Sequence, residues 1–210
     1  MANPYHHAIS SAETFGGKPS DYYEIHSFLD SSKAHIATFK HRALLHNDLG
    51  IYLCARIFKD TPNIEDIAMQ HIEEDLGKIP LVEDLFCNYK SSAIKTINKL
   101  QLPSNENMSR IFKTDLTDFT KECKNISSFF NNVEESVMFF NSFGIFILER
   151  IFGIEYKNTG VPTGIPTRII AERYVLSIYR DIFSVYEVMK EWDCPTWIGN
   201  SAKPLSKEVK

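Results

Sequence analysis

The sequence predicts an all-α fold in which two similar helical halves pack about a pseudo-twofold axis. Apolar residues recur at spacings of three and four along much of the chain, as they do on the buried face of a helix. A long segment of the first half is repeated in the second half. With 210 residues, of which 43% are hydrophobic, the chain is long enough for one good core or two small domains.

The segment over residues 33–58 has this helical spacing and contains no proline, so it predicts one long helix. Gly50 lies on its apolar stripe. Because an interior glycine costs a helix about 1 kcal/mol relative to alanine, we expect another helix to approach closely at Gly50. His46 fills a gap in the stripe, and His35 lies about 20° away around the helix axis. We therefore expect both imidazoles to face the interior and His41 to be solvated.

Residues 135–152 align with residues 41–58, and six positions are identical in the two segments. These pairs are Asn47 and Asn141, Gly50 and Gly144, Ile51 and Ile145, Arg56 and Arg150, Ile57 and Ile151, and Phe58 and Phe152. Residues 170–180 align in the same way with residues 67–77, after nine additional residues. Two matches in the same order indicate an internal duplication, because chance similarity is not expected to occur twice.

The duplication predicts the domain organisation. We expect a first, histidine-rich helical repeat over residues 1–90 and a second, degenerate repeat over residues 91–195. Residues 196–210 form the expected tail. The two repeats are expected to pack into one compact domain.

The first repeat is expected to begin with an irregular arm over residues 1–20, which contain a Ser-Ser pair and Gly-Gly-Lys-Pro. Ser20 is the expected N-cap of a short helix. After the long helix, Asn63 is a candidate N-terminal cap. The segment over residues 64–76 then predicts a helix that ends at Gly77.

The second repeat is expected to follow a polar link over residues 89–114. The Gly/Pro/Thr-rich segment over residues 155–166 predicts a loop or a small hairpin. Thr167 is the expected cap of the helix after it, and residues 184–192 predict a last helix. From Pro195 onward the chain is expected to be irregular.

Composition limits the classes of function. The formal net charge is −4, so charge gives no strong case for binding nucleic acid. No apolar run approaches the roughly 20 residues that span a bilayer, and the amino terminus lacks the basic and apolar regions of a signal peptide. The four cysteines have no CxxC or disulfide-framework spacing, as in a reduced protein. We therefore expect a cytoplasmic protein with no membrane contact.

The two repeats differ most in their histidines. All seven histidines precede residue 72, and the alignment places other residues at their second-half positions. The aligned pairs are His26 and Thr120, His35 and Phe129, His41 and Glu135, His46 and Phe140, and His71 and Tyr174. Asp75, which we expect to be buried beside His71, aligns with Ile178. Because a buried polar group costs about 1–3 kcal/mol when it is unpaired, a function is expected to keep these positions polar.

These residue types predict a metal centre in the first repeat. Imidazole and carboxylate are the ligands that zinc, manganese or iron takes in proteins, so we expect His71 to bind a divalent metal with either His35 or His46. Those two lie about 16 Å apart along one predicted helix, so they cannot bind the same ion. Asp75 and Glu74 are the expected catalytic carboxylates, each as a ligand or a base. The metal would activate water for hydrolysis of a phosphate ester or nucleotide.

Two alternatives are open at this point. The first is a non-enzymatic protein, in a phage or defence context, that binds or sequesters a small anionic ligand such as a nucleotide. The residues expected to bind that ligand are His6, His7, Lys33 and Arg42. The second is a helical oligomerisation module with no ligand, in which the histidines are core residues hydrogen-bonded to one another and to Asp75. A homo-oligomer fits this second alternative.

Four motifs of the first half, HHAISS, GGKPSDY, HRALLH and QHIEEDLGKIP, resemble a family of short, uncharacterised bacterial and phage proteins. Members carry a similar HHA-SS arm, an HRALxH helix and a QHxxEDLGxIP end, and the similarity covers residues 4–85. Residues 151–175 also resemble the end segment of that family, with Arg173 and Tyr174 at its Gln-His position. The resemblance implies single-copy members of about half this length that pair, so that this chain would be a fused pseudo-dimer. It implies no particular activity.

Overall fold

The structure is a computed structural model that describes residues 3–87, 89, 101–157 and 164–199. Within these residues it confirms the all-α prediction, because nearly every regular element is a helix and the only sheet has two short strands. The described residues form two compact units, one within Met1–Leu85 and Cys194–Lys210 and the other within Phe86–Asp193. Over the same residues, none of the helices has both the length and the apolar character needed to cross a membrane.

Short helices make up the first unit. They are α1 (Pro4–Phe15), α2 (Pro19–Leu29), α3 (Arg42–Leu45), α4 (Asp48–Ile57) and α5 (Ile64–Leu76), followed at the unit boundary by α6 (Val82–Phe86). Single-turn 3-10 helices cover Ser31–Ala34, Phe39–His41 and Thr196–Gly199. α5 contacts α1, α2 and α4, so it lies at the centre of this unit.

The amino-terminal arm is a helix, so the prediction of an irregular arm over residues 1–20 is wrong. Pro4 occupies the first turn of α1, where its missing N–H and fixed φ suit a helix start. The side chain of Asn3 accepts a hydrogen bond from the amide of Tyr5 at 3.0 Å and caps the helix. Gly16 ends α1 with φ 83°, a conformation that costs glycine little.

The start of α2 differs from the prediction, whereas α5 agrees with it. Lys18, not Ser20, is the N-cap of α2, because the carboxylate of Asp21 accepts a hydrogen bond from the Lys18 amide at 2.9 Å. α5 covers Ile64–Leu76 as the periodicity predicts. It ends at Gly77, which has φ 72° in the left-handed region.

The prediction of one long helix over residues 33–58 is wrong. The chain departs from a helical path after Ala34 and again at Asn47, which is extended with φ −157° and ψ −178°. The side chain of Asn47 accepts a hydrogen bond from the Gly50 amide at 3.0 Å and donates one to the Ala43 carbonyl at 2.7 Å. This one amide therefore caps α4 and bonds back to α3, which favours a break over a continuous helix.

The same turn explains Gly50. A Cβ atom at this position would lie 1.8 Å from the carbonyl oxygen of Leu45. The glycine is therefore required by the chain's own backbone, and not by the approach of another helix. Gly144 has the same relation to the carbonyl oxygen of Phe139, at 2.0 Å.

The described C-terminal residues pack into the first unit. Thr196–Gly199 form a 3-10 helix in which Ile198 is buried, and the Ile198 carbonyl accepts a hydrogen bond from Arg42 Nη1 at 3.0 Å. The expectation of an irregular tail from Pro195 is therefore wrong for these residues. Residues 200–210 lie outside the described part of the chain.

The second unit is also helical. It contains α7 (Asn105–Phe112), α8 (Thr117–Ser127), α9 (Ser142–Phe152), α10 (Thr167–Tyr179) and α11 (Val185–Glu191), a 3-10 helix over Glu135–Met138, and strands β1 (Glu155–Tyr156) and β2 (Ile165–Pro166). The strands pair antiparallel and confirm the predicted hairpin, whose residues 158–163 are outside the described part. α7 lies in the predicted link, of which residues 90–100 are likewise not described. Thr167 is the first residue of α10 and not its cap.

The second unit repeats the local backbone structure of the first. α5 and α10 each have 13 residues, and each ends at a residue in the left-handed conformation. Asn141 caps α9 as Asn47 caps α4. The matching hydrogen bonds are Asp48 N–H to Pro80 O and Ser142 N–H to Phe183 O, and Val82 N–H to Asp48 Oδ1 and Val185 N–H to Ser142 Oγ. The pseudo-twofold packing of the halves stays a prediction.

Candidate metal centre

Two histidine and two aspartate side chains converge in the first unit. Asp30 follows α2, His46 lies in the turn between α3 and α4, and His71 and Asp75 lie on α5. Each is at most 5% exposed, and one potential ligand atom of each lies within 4.8 Å of the other three. We call these four residues the His/Asp cluster.

The atoms of the His/Asp cluster surround His46 Nε2. This atom lies 3.1 Å from His71 Nε2, 3.2 Å from Asp75 Oδ2 and 3.7 Å from Asp30 Oδ1. His71 Nε2 lies 3.9 Å from the same Asp30 oxygen. Four ligands placed tetrahedrally around zinc at its usual bond lengths are about 3.3–3.6 Å apart. Four of the six separations lie between 3.1 and 3.9 Å, around this range, and all six are within 4.8 Å, so the cluster is compatible with a metal ion of this size.

Local structure explains why these side chains meet. His71 and Asp75 are four residues apart on α5, so they face the same side of the helix. His46 has a non-helical backbone, with φ −94° and ψ 61°, because Asn47 caps the next helix directly after it. The break that replaces the predicted long helix therefore brings the His46 ring to the cluster. Asp30 sits at the C-terminal end of α2, where the helix dipole disfavours a carboxylate and favours a nearby cation.

Two basic side chains border the cluster. Arg42 is 1% exposed, and its Nη2 lies 3.4 Å from Asp75 Oδ2. Lys33 is partly exposed, and its Nζ lies 2.6 Å from Asp30 Oδ1. Each carboxylate of the cluster therefore has a cationic neighbour at the oxygen that faces His46.

Several buried polar atoms here have no hydrogen-bond partner among the described residues. They are Asp30 Oδ2, Asp75 Oδ2, His46 Nδ1, His7 Nε2, and Arg42 Nε and Nη2. A buried group left unsatisfied costs about 1–3 kcal/mol, and a charged group costs more. A cation between the two carboxylates would remove part of this cost. The donor set of the cluster therefore fits a metal ion.

The protonation states also suit a metal ion. Burial lowers the pKa of His46 and of His71, so both imidazoles are neutral at pH 7. Burial by itself would raise the pKa of Asp75, but the neighbouring His46, His7 and Arg42 outweigh it and lower that pKa. Neutral imidazole and ionised carboxylate are the forms that bind a metal.

His7 on α1 differs from the histidines of the cluster. Its Nδ1 lies 2.6 Å from Glu74 Oε2, and its Nε2 lies 3.5 Å from Asp75 Oδ1. Burial would lower the pKa of His7, but these two carboxylates outweigh it and raise the pKa to about 9. His7 is therefore protonated at neutral pH and balances part of the acidic charge beside the cluster.

Residues 2–94 match the family model of a domain of unknown function (DUF6915). The match includes the whole His/Asp cluster and covers less than half of the chain. No curated protein and no solved structure matches this chain. The comparisons are therefore consistent with an uncharacterised family over the first half, and they assign no activity.

Of the residues predicted as metal ligands or catalytic carboxylates, the structure brings His46, His71 and Asp75 together in the cluster. Sequence reasoning missed Asp30 and also missed His26, whose Nδ1 lies 3.1 Å from His71 Nδ1. An acidic residue at a helix C-terminus was the available signal for Asp30, because that position is electrostatically unfavourable unless a cation is near.

Two other expectations about histidines are wrong. His35 is exposed and lies outside the cluster, because the long helix that would have turned it inward does not form. His41, expected to be solvated, is 1% exposed, and its Nδ1 lies 2.7 Å from the carbonyl oxygen of Thr38. Both errors follow from assigning one helical period to a segment that contains several turns.

The residues predicted to bind an anionic ligand are placed differently from one another. His6 is exposed and His7 is buried, because successive positions on a helix point about 100° apart. Lys33 pairs with Asp30, and Arg42 is buried beside the cluster. Their roles in ligand binding stay predictions.

Proposed function

We propose that the first unit binds one divalent transition-metal ion through the His/Asp cluster, and that this ion supports hydrolysis of a phosphate ester or nucleotide. The observation that carries the proposal is the convergence of four buried ligand atoms from three separate segments of the chain. A mixed set of imidazoles and carboxylates suits zinc, manganese or iron. In this role Asp75 is a ligand, and Glu74 supports the site by accepting hydrogen bonds from His7 and Ser10.

The neighbouring Arg42 favours a phosphate-containing substrate. A metal ion of this kind activates water and polarises a phosphoryl oxygen. The guanidinium of Arg42 pairs with Asp75 through Nη2, at 3.4 Å, and its buried Nε donates to no described acceptor. Such a guanidinium matches the oxygen atoms of a phosphate, to which arginine donates two parallel hydrogen bonds.

Elemental analysis of protein purified without a His tag tests the metal site. We expect one metal ion per chain in the wild type and its loss in His71→Ala. His35→Ala is the matched control, because His35 is an exposed histidine outside the cluster. An absence of metal from the wild type, or an unchanged metal content in His71→Ala, would contradict the proposal.

Hydrolysis is tested separately with bis(p-nitrophenyl) phosphate as a general phosphodiester probe. We expect turnover by the metal-loaded wild type, its loss with a chelator or in His71→Ala, and its retention in His35→Ala. A metal-loaded protein that gives no turnover of this probe or of nucleotides would leave metal binding in place and contradict hydrolysis.

A second candidate is non-enzymatic binding of a small anion such as a nucleotide. It is favoured by Arg42, whose buried Nε donates to no described acceptor and suits a bound anion. We expect such a protein to show a higher Tm with nucleotides present and no hydrolysis, and we expect Arg42→Met to abolish the Tm increase. If nucleotides do not change the Tm of the wild type, this candidate is wrong.

We also infer that the chain arose by tandem duplication of one helical unit and that the second copy lost the polar cluster. The repeated asparagine caps, the equal lengths of α5 and α10 and the matched backbone hydrogen bonds support this inference. An experimental structure in which α4 and α5 do not superpose on α9 and α10 would contradict it.

A further inference from the structure

His71 lies between two other imidazoles. Its Nε2 lies 3.1 Å from His46 Nε2, and its Nδ1 lies 3.1 Å from His26 Nδ1. A neutral imidazole carries one proton, on one nitrogen or the other, and only the unprotonated nitrogen can bind a metal. The metal site therefore depends on which nitrogen of His71 holds the proton.

Glu74 determines which group donates and which accepts in the hydrogen bonds that lead to His71. Ser10 Oγ donates its single proton to Glu74 Oε1, since an ionised carboxylate only accepts, and the oxygen of Ser10 must therefore accept from Gln70. Thr14 donates its hydroxyl proton to the Ser10 carbonyl, so its oxygen also accepts from Gln70. Because both hydroxyl oxygens accept hydrogen bonds, the donor Nε2 of Gln70 points towards them. Its acceptor Oε1 therefore points to the other side.

The direction continues from Gln70 to His71. Ser11 Oγ donates to Gln70 Oε1 at 2.8 Å, so the Ser11 oxygen accepts from His26 Nε2 at 2.9 Å. His26 then carries its proton on Nε2, and its Nδ1 has a free lone pair. The His26 ring is fully buried, which disfavours a second proton on it. Its Nδ1 can only accept, and the donor is the Nδ1–H of His71.

We propose that the hydrogen-bonded row of Glu74, Ser10, Gln70, Ser11 and His26 holds His71 in the Nδ1–H tautomer, so that its unprotonated Nε2 faces the metal site. These five are positioning residues of the metal centre, and this role rests on the metal site proposed above. The row also assigns a role to α1, because two of the five residues of the row, Ser10 and Ser11, lie on this helix.

The row links the cluster to a charged group that lies partly in solvent. Glu74 is 29% exposed, whereas His26 and Ser11 are fully buried. The carboxylate of Glu74 accepts hydrogen bonds from His7 and Ser10, so the row begins at a hydrogen-bond acceptor. Outer hydrogen-bond partners of this kind orient a ligating histidine, and their loss weakens metal binding by about 10–100-fold.

The first test reads the tautomer in the metal-free protein by NMR of nitrogen-15-labelled histidine side chains. We expect His71 in the Nδ1–H form and His26 in the Nε2–H form. Observation of His71 mainly in the Nε2–H form in the wild type would overturn the proposal, whether or not the protein binds metal.

The second test uses variants of the row and binding of Co²⁺, followed by its visible absorption. Ser11→Ala removes the acceptor of His26 Nε2–H, and Gln70→Leu frees the Ser11 hydroxyl to donate to His26 instead. Both are expected to populate the Nε2–H form of His71 and to weaken Co²⁺ binding by about 10–100-fold.

Thr14→Val is the matched control, because it removes a hydrogen bond to Gln70 at 3.3 Å and leaves every direction in the row unchanged. If Thr14→Val weakens Co²⁺ binding as much as Ser11→Ala does, the row has only a structural role. If the wild type shows the expected tautomers but binds no Co²⁺, the metal proposal fails and the assignment of the row as metal-positioning fails with it, while the tautomers stand as measured.

Discussion

In the first unit the rings of His46 and His71 have their centres 4.9 Å apart, and in the second unit the aligned rings of Phe140 and Tyr174 are 5.6 Å apart. Each of these four side chains is fully buried. Positions that the sequence alignment pairs are therefore filled by polar rings in one unit and by aromatic packing in the other. Since the second unit shows that the local structure forms with apolar residues, folding alone does not require the histidines, and a ligand is the simplest reason to keep them.

The largest difference between the two units is expected in the loss of stability at acid pH. We expect this loss to arise in the first unit, which holds all seven histidines. Burial lowers the pKa of His26 and of His41 from 6.5 to about 4. A histidine with a lower pKa in the folded chain stabilises it above pH 6.5, and that stability is lost as the pH falls towards 4. At 1.36 kcal/mol per pKa unit, each residue accounts for about 3 kcal/mol.

Urea unfolding of the metal-free protein, followed from pH 7 down to pH 4 and also up to about pH 10, measures this loss and its alkaline control. His7 provides a control of opposite sign, because its pKa is raised to about 9 and its contribution is lost as the pH rises through that value. His7→Gln is expected to remove the alkaline loss and to leave the acid loss in place. A free energy of unfolding that stays constant from pH 6.5 to pH 4 would show that the buried imidazoles are not held neutral.

The next effect is expected from Asp75→Ile, which gives the first unit the residue that the second unit has at this position. The change leaves Arg42 and the protonated His7 without their buried counter-charge, and breaking such a pair costs about 3–5 kcal/mol. We expect Arg42→Met in the same chain to restore part of the free energy of unfolding in the metal-free protein. Metal binding should be lost in both variants.

An Asp75→Ile variant that is as stable as the wild type and has the same metal content would contradict this view. Asp75 would then be a replaceable core residue, and the difference between the two units would carry no functional meaning.

The smallest loss of stability is expected from two glycine variants, which test the backbone turn that precedes both α4 and α9. Gly50→Ala and Gly144→Ala each place a Cβ atom within 2.0 Å of a carbonyl oxygen of the preceding turn. Overpacking of this kind costs about 1–3 kcal/mol or more, and we expect similar losses in the two variants by thermal unfolding. Gly199→Ala is the control, since its Cβ would approach the Phe39 ring no closer than 3.4 Å. A loss in only one of the first two variants would argue against a common backbone motif.

Sequence reasoning succeeded where local signals agreed. The helical period and the stop at Gly77 predict α5, and one turn of spacing puts His71 and Asp75 on its buried face. Asn63 precedes α5 as expected, but its side chain makes no capping hydrogen bond. It failed at the segment over residues 33–58, because a side chain that bonds to its own backbone competes with helix propagation and periodicity does not report that competition. The predicted position of His35 is wrong for the same reason, whereas Asn3 followed by Pro4 is a local signal for the start of α1.

The sequence by itself determined the helical class, the similarity of two pairs of segments and the placement of all seven histidines before residue 72, since period and alignment depend only on the order of residues. Only the tertiary structure decided which histidines face one another, and it added Asp30 and the row of hydrogen bonds behind His71. These groups come from α1, from α2 and its C-terminal end, from the turn before α4, and from α5. Their meeting therefore depends on how helices distant in sequence pack, which no local pattern encodes.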